Sequence, residues 1–206
     1  MDAKVSAVLD VYHERMREEA KSREQASRLG LKDELRDRFL LAVGPDTGRL
    51  INILARSLRA PHILELGTSY GYSTIWLAEA ARAAGGRVTT MELHDHKSAY
   101  AREMSVKADL ADRVDFRVGD AVTMIAETPA GIDFVLVDLW KDLYLPCLKA
   151  FHPKLNPGAI IVADNMIRPG KEGALRYAQA VRALPDMMSV LVPVGAGLEI
   201  SRHKAN

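Results

Sequence analysis

Two hydrophobic periods divide the chain near residue 60. Before it, apolar residues return every three or four positions; after it, they gather in short runs that end in polar residues. Val5, Val8, Leu9, Tyr12 and Met16 form one stripe of a helix over residues 4 to 29, whose second half is mostly charged and whose C-cap is Gly30. A second helix is expected over 32–41. A third, capped by Asp46 or Thr47, carries Leu50, Ile51, Leu54 and Leu58. Strands are expected at 62–66, 87–92 and 114–118, and in two runs ending at Asp138 and Asp164. Helical segments separate them. Residues 189–194 and 198–201 then flank Gly195-Ala196-Gly197 as a hairpin. Five strand-helix units and a hairpin predict an α/β fold: a Rossmann-like, doubly wound sheet of seven mostly parallel strands with an antiparallel last strand.

A length of 206 residues suits a single domain, with N-terminal helices over 1–60 and an α/β core over 61–206. The 28 basic and 27 acidic side chains leave a net charge of +1, which gives no general attraction to nucleic acid or an anionic membrane. A lone cysteine, Cys147, excludes an internal disulfide and suits a reducing cytosol, where it reads as a packed small hydrophobe. No run approaches the ~20 apolar residues of a membrane helix. The N-terminus lacks the hydrophobic core of a signal peptide. A cytoplasmic protein is expected.

The runs ending at Asp138 and at Asp164-Asn165 carry the chemistry. Strands buried on both faces of a parallel sheet place their first polar residues along its carboxyl edge, where open α/β folds bind ligands. Were these strands neighbours, their tips would lie roughly 5 Å apart. One ion could then touch Asp138, Asp164 and the Asn165 amide oxygen. An all-oxygen set favours magnesium, or manganese or calcium, over zinc. Lys141 stands close enough to act as a base beside it. Either aspartate alone would read as a cap, and Lys141 alone as a solvated lysine; their recurrence on successive strand ends favours the site. His94-Asp95-His96, by contrast, reads as a solvated loop.

The first strand ends in Glu65-Leu66-Gly67-Thr68-Ser69-Tyr70-Gly71-Tyr72-Ser73. Its G-x-x-x-G spacing is not the G-x-G-x-x-G loop that binds a pyrophosphate. Glu92 ends the second strand, where an acid can hold ribose hydroxyls, and Asp120 follows the third, within reach of an adenine edge. An adenosine without a diphosphate points to S-adenosylmethionine rather than NAD.

These residues resemble a known family: the class I S-adenosylmethionine-dependent, magnesium-dependent O-methyltransferases of the catechol and caffeoyl-CoA group. The likeness runs from about Phe39 to Glu199. It rests on Ala42-Val43-Gly44, Leu64-Glu65-Leu66-Gly67 with Gly71-Tyr72-Ser73, Met91-Glu92, Asp138-Leu139-Trp140-Lys141-Asp142 with Tyr144, Ala163-Asp164-Asn165, Arg168-Pro169-Gly170 and Gly197-Leu198-Glu199. It implies that the Val43 backbone and Ser73 hold the methionine end, with Glu65, Gly67, Ser69 and Gly71 in the cofactor loop. Glu92 would hold the ribose, and Met91, Asp120, Ala121 and Trp140 would surround the adenine, with Asp138 near the cofactor. Asp138, Asp164 and Asn165 would bind the ion, and Lys141 would be the base. Phe39, Trp140 and Pro169 would wall the aromatic substrate, and Glu199 would accept its second hydroxyl. Leu139 stands where catechol O-methyltransferase has histidine, and Phe39 replaces a tryptophan wall. Arg168-Pro169-Gly170 runs almost directly into the last helix, without the insertion of the plant caffeoyl-CoA enzymes, which favours a small catechol. The expected protein methylates a small aromatic diol and forms a homodimer, with the first helix as dimer element or lid. Its rivals are an NAD-dependent oxidoreductase, disfavoured by the loop, and a non-catalytic S-adenosylmethionine-binding scaffold, which would need neither ion nor lysine.

Overall fold

The computed structural model describes residues 1–28, 38–170 and 172–204. Seven strands form one sheet: β1 (His62–Leu66), β2 (Arg87–Glu92), β3 (Val114–Val118), β4 (Ile132–Val137), β5 (Leu155–Ala163), β6 (Met187–Val192) and β7 (Leu198–His203). They stand in the order β3-β2-β1-β4-β5-β7-β6. The pairs among β1 to β5 are parallel, and β7 runs antiparallel to both β5 and β6. From β1 the chain winds outward through β2 to β3, then returns to β4 beside β1. Strand order therefore reverses between β1 and β4, which places the ligand crevice at their carboxyl ends.

Side chains alternating along each strand feed two cores. Ile63, Val88, Phe134, Leu136, Ile160 and Val162 face one cluster; Leu64, Leu66, Val135, Val137 and Ile161 face the other. The first cluster is covered by α1 (Ala3–Arg28), α2 (Pro45–Arg56), α3 (Tyr72–Ala84) and α4 (Asp95–Lys107), the second by α5 (Ala121–Glu127), α6 (Tyr144–Phe151) and α7 (Glu172–Ala183). Among the described residues no helix is long and apolar enough to cross a membrane.

The stripe of the first helix covers its own chain. Val5, Val8, Leu9 and Tyr12 are buried where α1 packs on α3 and α4, and the Tyr12 hydroxyl donates to the Tyr70 carbonyl at 2.6 Å. The expectation of a homodimer or lid built on that stripe loses its footing, since the apolar face is already used. Gly30 and most of the helix expected over 32–41 lie outside the described residues. Leu40 to Gly44, which follow, are not helical, and Leu41 has φ +50°. Helix α2 begins at Pro45 after Gly44 rather than at an Asp46 or Thr47 cap, because proline presets the first helical φ and has no N–H to satisfy. β5 takes in Asn156-Pro157-Gly158 by a register shift against β4.

Two acids expected at the site belong to the fold. Glu199 on β7 is fully buried and held by Nε and Nη2 of the Arg182 guanidinium, each at 2.7 Å, and by the Ser189 hydroxyl. It faces α7, so its expected role on a substrate hydroxyl is corrected to an ion pair joining α7 to the hairpin. Glu65 in the middle of β1 is equally buried, accepting from the hydroxyls of Thr74 at 2.5 Å and Thr90 at 2.6 Å. Burial pushes its carboxyl up to about 7, against the pull of the Ser73, Thr74 and Thr90 hydroxyls.

Because the folded state raises this pKa above the ordinary 4.5, Glu65 contributes stability that is whole below about 4.5 and lost as pH rises to about 7. Glu65→Gln should therefore gain melting temperature relative to wild type between about pH 5 and about pH 8, a change on the order of 2 kcal/mol. Parallel melting curves at both pH values check this; a constant offset would mean that Glu65 is already ionised in the fold.

Candidate active site

Backbone hydrogen bonds carry the sheet one residue past its strands. The Asp138 N–H donates to the Leu66 carbonyl at 2.9 Å, and the Asp164 N–H to that of Val137 at 3.0 Å. Both acids are thereby pinned at neighbouring strand tips. Gly67 makes the tips of β1 and β4 touch: with φ +100°, any Cβ there would lie 2.2 Å from the Asp138 carbonyl oxygen. Here only glycine serves. Above these tips lies a cavity of about 850 Å³.

One half of the cavity presents nucleoside-type groups. Ser69 takes φ +46°, its N–H donating to Glu92 Oε2 at 2.7 Å and its hydroxyl to the Leu40 carbonyl at 3.0 Å. Glu92 also accepts from the His94 N–H at 3.0 Å, which fixes its carboxylate against the wall while each oxygen keeps accepting capacity. Gly67, Ser69, Met91, Glu92, Asp120 and Ala121 all line this half. Asp120 caps α5 through the Thr123 N–H at 2.8 Å, which holds its carboxylate below the usual range. Of the other residues expected here, three face elsewhere. The Val43 side chain is buried in the first core, which leaves the role expected of its backbone untouched, and its neighbours Leu41 and Ala42 line the cavity. Gly71 starts α3, where a Cβ would press on Ala101 of α4 at 2.6 Å. Ser73 and Glu65 are buried together beneath the loop.

The other half is the acidic end. Asp138 and Asn165 line it, Asn165 at φ +59°. Asp164 sits just beneath, 1% exposed, its Oδ2 accepting from the Asn165 amide at 3.1 Å and its buried Oδ1 without a hydrogen-bond partner. Burial first, and the negative Asp138 second, push the Asp164 carboxyl well up. The Lys141 amine, buried, donates to the Leu139 carbonyl at 3.1 Å and the Tyr144 hydroxyl at 2.5 Å, and lies 3.6 Å from Asp138 Oδ1. The Tyr144 hydroxyl in turn donates to the Asp164 carbonyl at 3.0 Å, tying lysine to strand tip. The orphaned Asp164 oxygen and an all-oxygen donor set fit a hard divalent cation. Phe39, Trp140 and Pro169 line the mouth.

Sequence reasoning missed the basic rim. Arg23 of α1 reaches the cavity with its guanidinium 5.2 Å from the Phe39 ring, although its charged neighbourhood reads as a solvated face. His94, Lys97 and Arg168 line it too, Arg168 donating to the Gly195 carbonyl at 2.8 Å. Only Arg168, through its place beside Pro169, had a signal.

Comparison with known proteins follows the same geometry. A family model described as a methyltransferase domain matches residues 64–166, from β1 past both acid-bearing strand tips. The catechol O-methyltransferase of Niastella koreensis is 37% identical over 135 residues, 64% of this chain and 61% of that protein. The chain thus spans about three-fifths of that relative's length. The catechol O-methyltransferase of Sus scrofa is 31% identical over 144 residues, 66% of this chain and 77% of that protein. Among solved structures, an O-methyltransferase from Bacillus cereus in complex with SAH superposes with a TM-score of 0.77 at 26% identity, over 99% of this chain and 92% of that one. From the matched span, the identity to these relatives and the superposition, the chain belongs to the class I S-adenosylmethionine-dependent O-methyltransferase family of the catechol and caffeoyl-CoA group.

Proposed function

We propose that this protein transfers a methyl group from S-adenosylmethionine to one hydroxyl of a small catechol-like aromatic, with a divalent cation of the magnesium type. The observation that carries the proposal is the acidic end of the cavity: Asp138 and the orphaned Asp164 oxygen on adjacent strand tips, Asn165 beside them, and the Lys141 amine 3.6 Å from Asp138. The names of the catechol O-methyltransferase relatives support the acceptor class, and the SAH complex of the Bacillus cereus structure supports the cofactor.

Methyl transfer from a sulfonium is an in-line displacement, so the protein's work is alignment and proton removal. Glu92, Ser69 and the Gly67 turn would place the cofactor along the tips of β1 and β2, with Met91, Asp120 and Ala121 about its base. Phe39, Trp140 and Pro169 would hold the aromatic ring and exclude water from the methyl's path. Asp138, Asp164 and Asn165 would hold the cation, which when bound acidifies and orients adjacent hydroxyls. Lys141 in its neutral form would take the phenol proton. Its contacts to Leu139, Tyr144 and Asp138 keep the nitrogen at one spot through the transfer.

Incubation with methyl-labelled S-adenosylmethionine and a panel of catechols should label an acceptor with magnesium present and not in EDTA. Undiminished transfer in chelator would remove the cation from the account. Lys141→Ala should lower kcat by about a hundredfold or more while cofactor affinity changes by no more than a few-fold. An unchanged kcat would strip the lysine of its role as base.

A further inference from the structure

At the opposite, amino-terminal edge of the sheet, three side chains from three segments converge. His152 follows α6, Asp186 precedes β6 and His203 ends β7, and the pairing of Met187 with His203 sets the last two side by side. The Nε2 atoms of His152 and His203 lie 3.1 and 3.4 Å from one oxygen, Asp186 Oδ2. All three donor atoms lie within 4.8 Å of one another. The nine residues of β5, at about 3.3 Å each, separate this cluster from Asp164.

The hydrogen bonding decides which ring nitrogen faces inward. A carbonyl only accepts, so His203 Nδ1, 2.9 Å from the Asn156 carbonyl oxygen, carries a proton. In the neutral ring Nε2 then turns a lone pair toward a carboxylate, which repels it unless a positive charge stands between. Asp186 Oδ1 is enclosed without a hydrogen-bond partner, and His152 Nε2, also enclosed, meets Asp186 Oδ2 at 3.1 Å. An enclosed polar atom in this state calls for a further partner, which a water or an ion can supply. The distances suit an ion. Donors bonded at about 2.05 Å around a tetrahedral ion stand about 3.3 Å apart, close to both observed separations. A backbone carbonyl on the far nitrogen is also the usual support of a metal-bound histidine.

We propose that His152, Asp186 and His203 bind one divalent transition ion of the zinc class, clipping the entry of β5 to the terminal hairpin. Two imidazoles and one carboxylate suit zinc and its first-row neighbours, in contrast to the all-oxygen set at the other edge. The side chains are 22%, 41% and 16% exposed, which leaves an entry path and room for water as fourth ligand.

The test titrates Zn²⁺ into the full chain, stripped by chelator and returned to excess magnesium, and follows heat and thermal unfolding. One zinc equivalent should bind and raise the melting temperature, and His203→Gln should weaken that binding by about tenfold or more. Zinc-edge anomalous scattering from wild-type crystals locates the ion without relying on a variant's folding, with a peak expected among the three side chains. No zinc uptake, an affinity unchanged in His203→Gln, or zinc found only beside Asp138 and Asp164 would overturn the proposal.

Discussion

Two negative groups brought together at the end of adjacent strands set the terms for this molecule's active end. Asp138 and Asp164 are held there by backbone bonds to the neighbouring strands, so neither can retreat without breaking the sheet's last rung. Like charges at neighbouring strand tips repel more strongly near a protein surface than in bulk water, and burial adds its own cost to Asp164. The fold answers half of this demand. Without a cation, Lys141, 3.6 Å from Asp138, offers one positive charge, while Asp164 keeps an oxygen with no hydrogen-bond partner and a carboxyl pushed upward. A divalent cation would answer the other half, which is why the proposed function turns on it.

The rest of the architecture serves that placement. Gly67 lets β1 press against the Asp138 carbonyl, and the Tyr144 hydroxyl ties Lys141 to the backbone of Asp164. These supports lie one residue past strand ends and at a buried helix start, so the placement of the acids is tied to the sheet by backbone hydrogen bonds. On the other side of the same tips, Glu92 and Ser69 are locked together by a 2.7 Å hydrogen bond, and the intervening cavity places both ends within one crevice. The switch between β1 and β4 is thus where strand order, close packing and polar groups coincide.

Strand ends were the legible part of the sequence. Apolar runs that stop abruptly at Asp138, Asp164 and Glu92 announce their own position, because the first polar residue after a buried strand has only the carboxyl edge to occupy. The sheet itself followed from alternation, down to the reversed last strand. Which way a residue faces within a loop or strand was less legible. Glu65, Gly71 and Ser73 sit in the right stretches but turn into the packing. Glu199 illustrates the reason: its face is set by β7 pairing between β5 and β6, and its partner Arg182 lies on a helix 17 residues earlier. Neither is visible in local spacing. Likewise the stripe of α1 announced a buried face without saying against what, and Arg23 entered the cavity only through the tertiary position of that helix.

The most direct test of the central claim is to count the hard cation at the acidic end. Manganese, which takes the same oxygen ligands as magnesium, can be followed by its electron paramagnetic resonance as it binds the full chain. Wild type should bind one Mn²⁺ that magnesium displaces, and Asp164→Asn, with its fold intact by circular dichroism, should lose that magnesium-displaceable ion. Equal magnesium-displaceable Mn²⁺ binding in wild type and Asp164→Asn, or none in wild type, would contradict the claim.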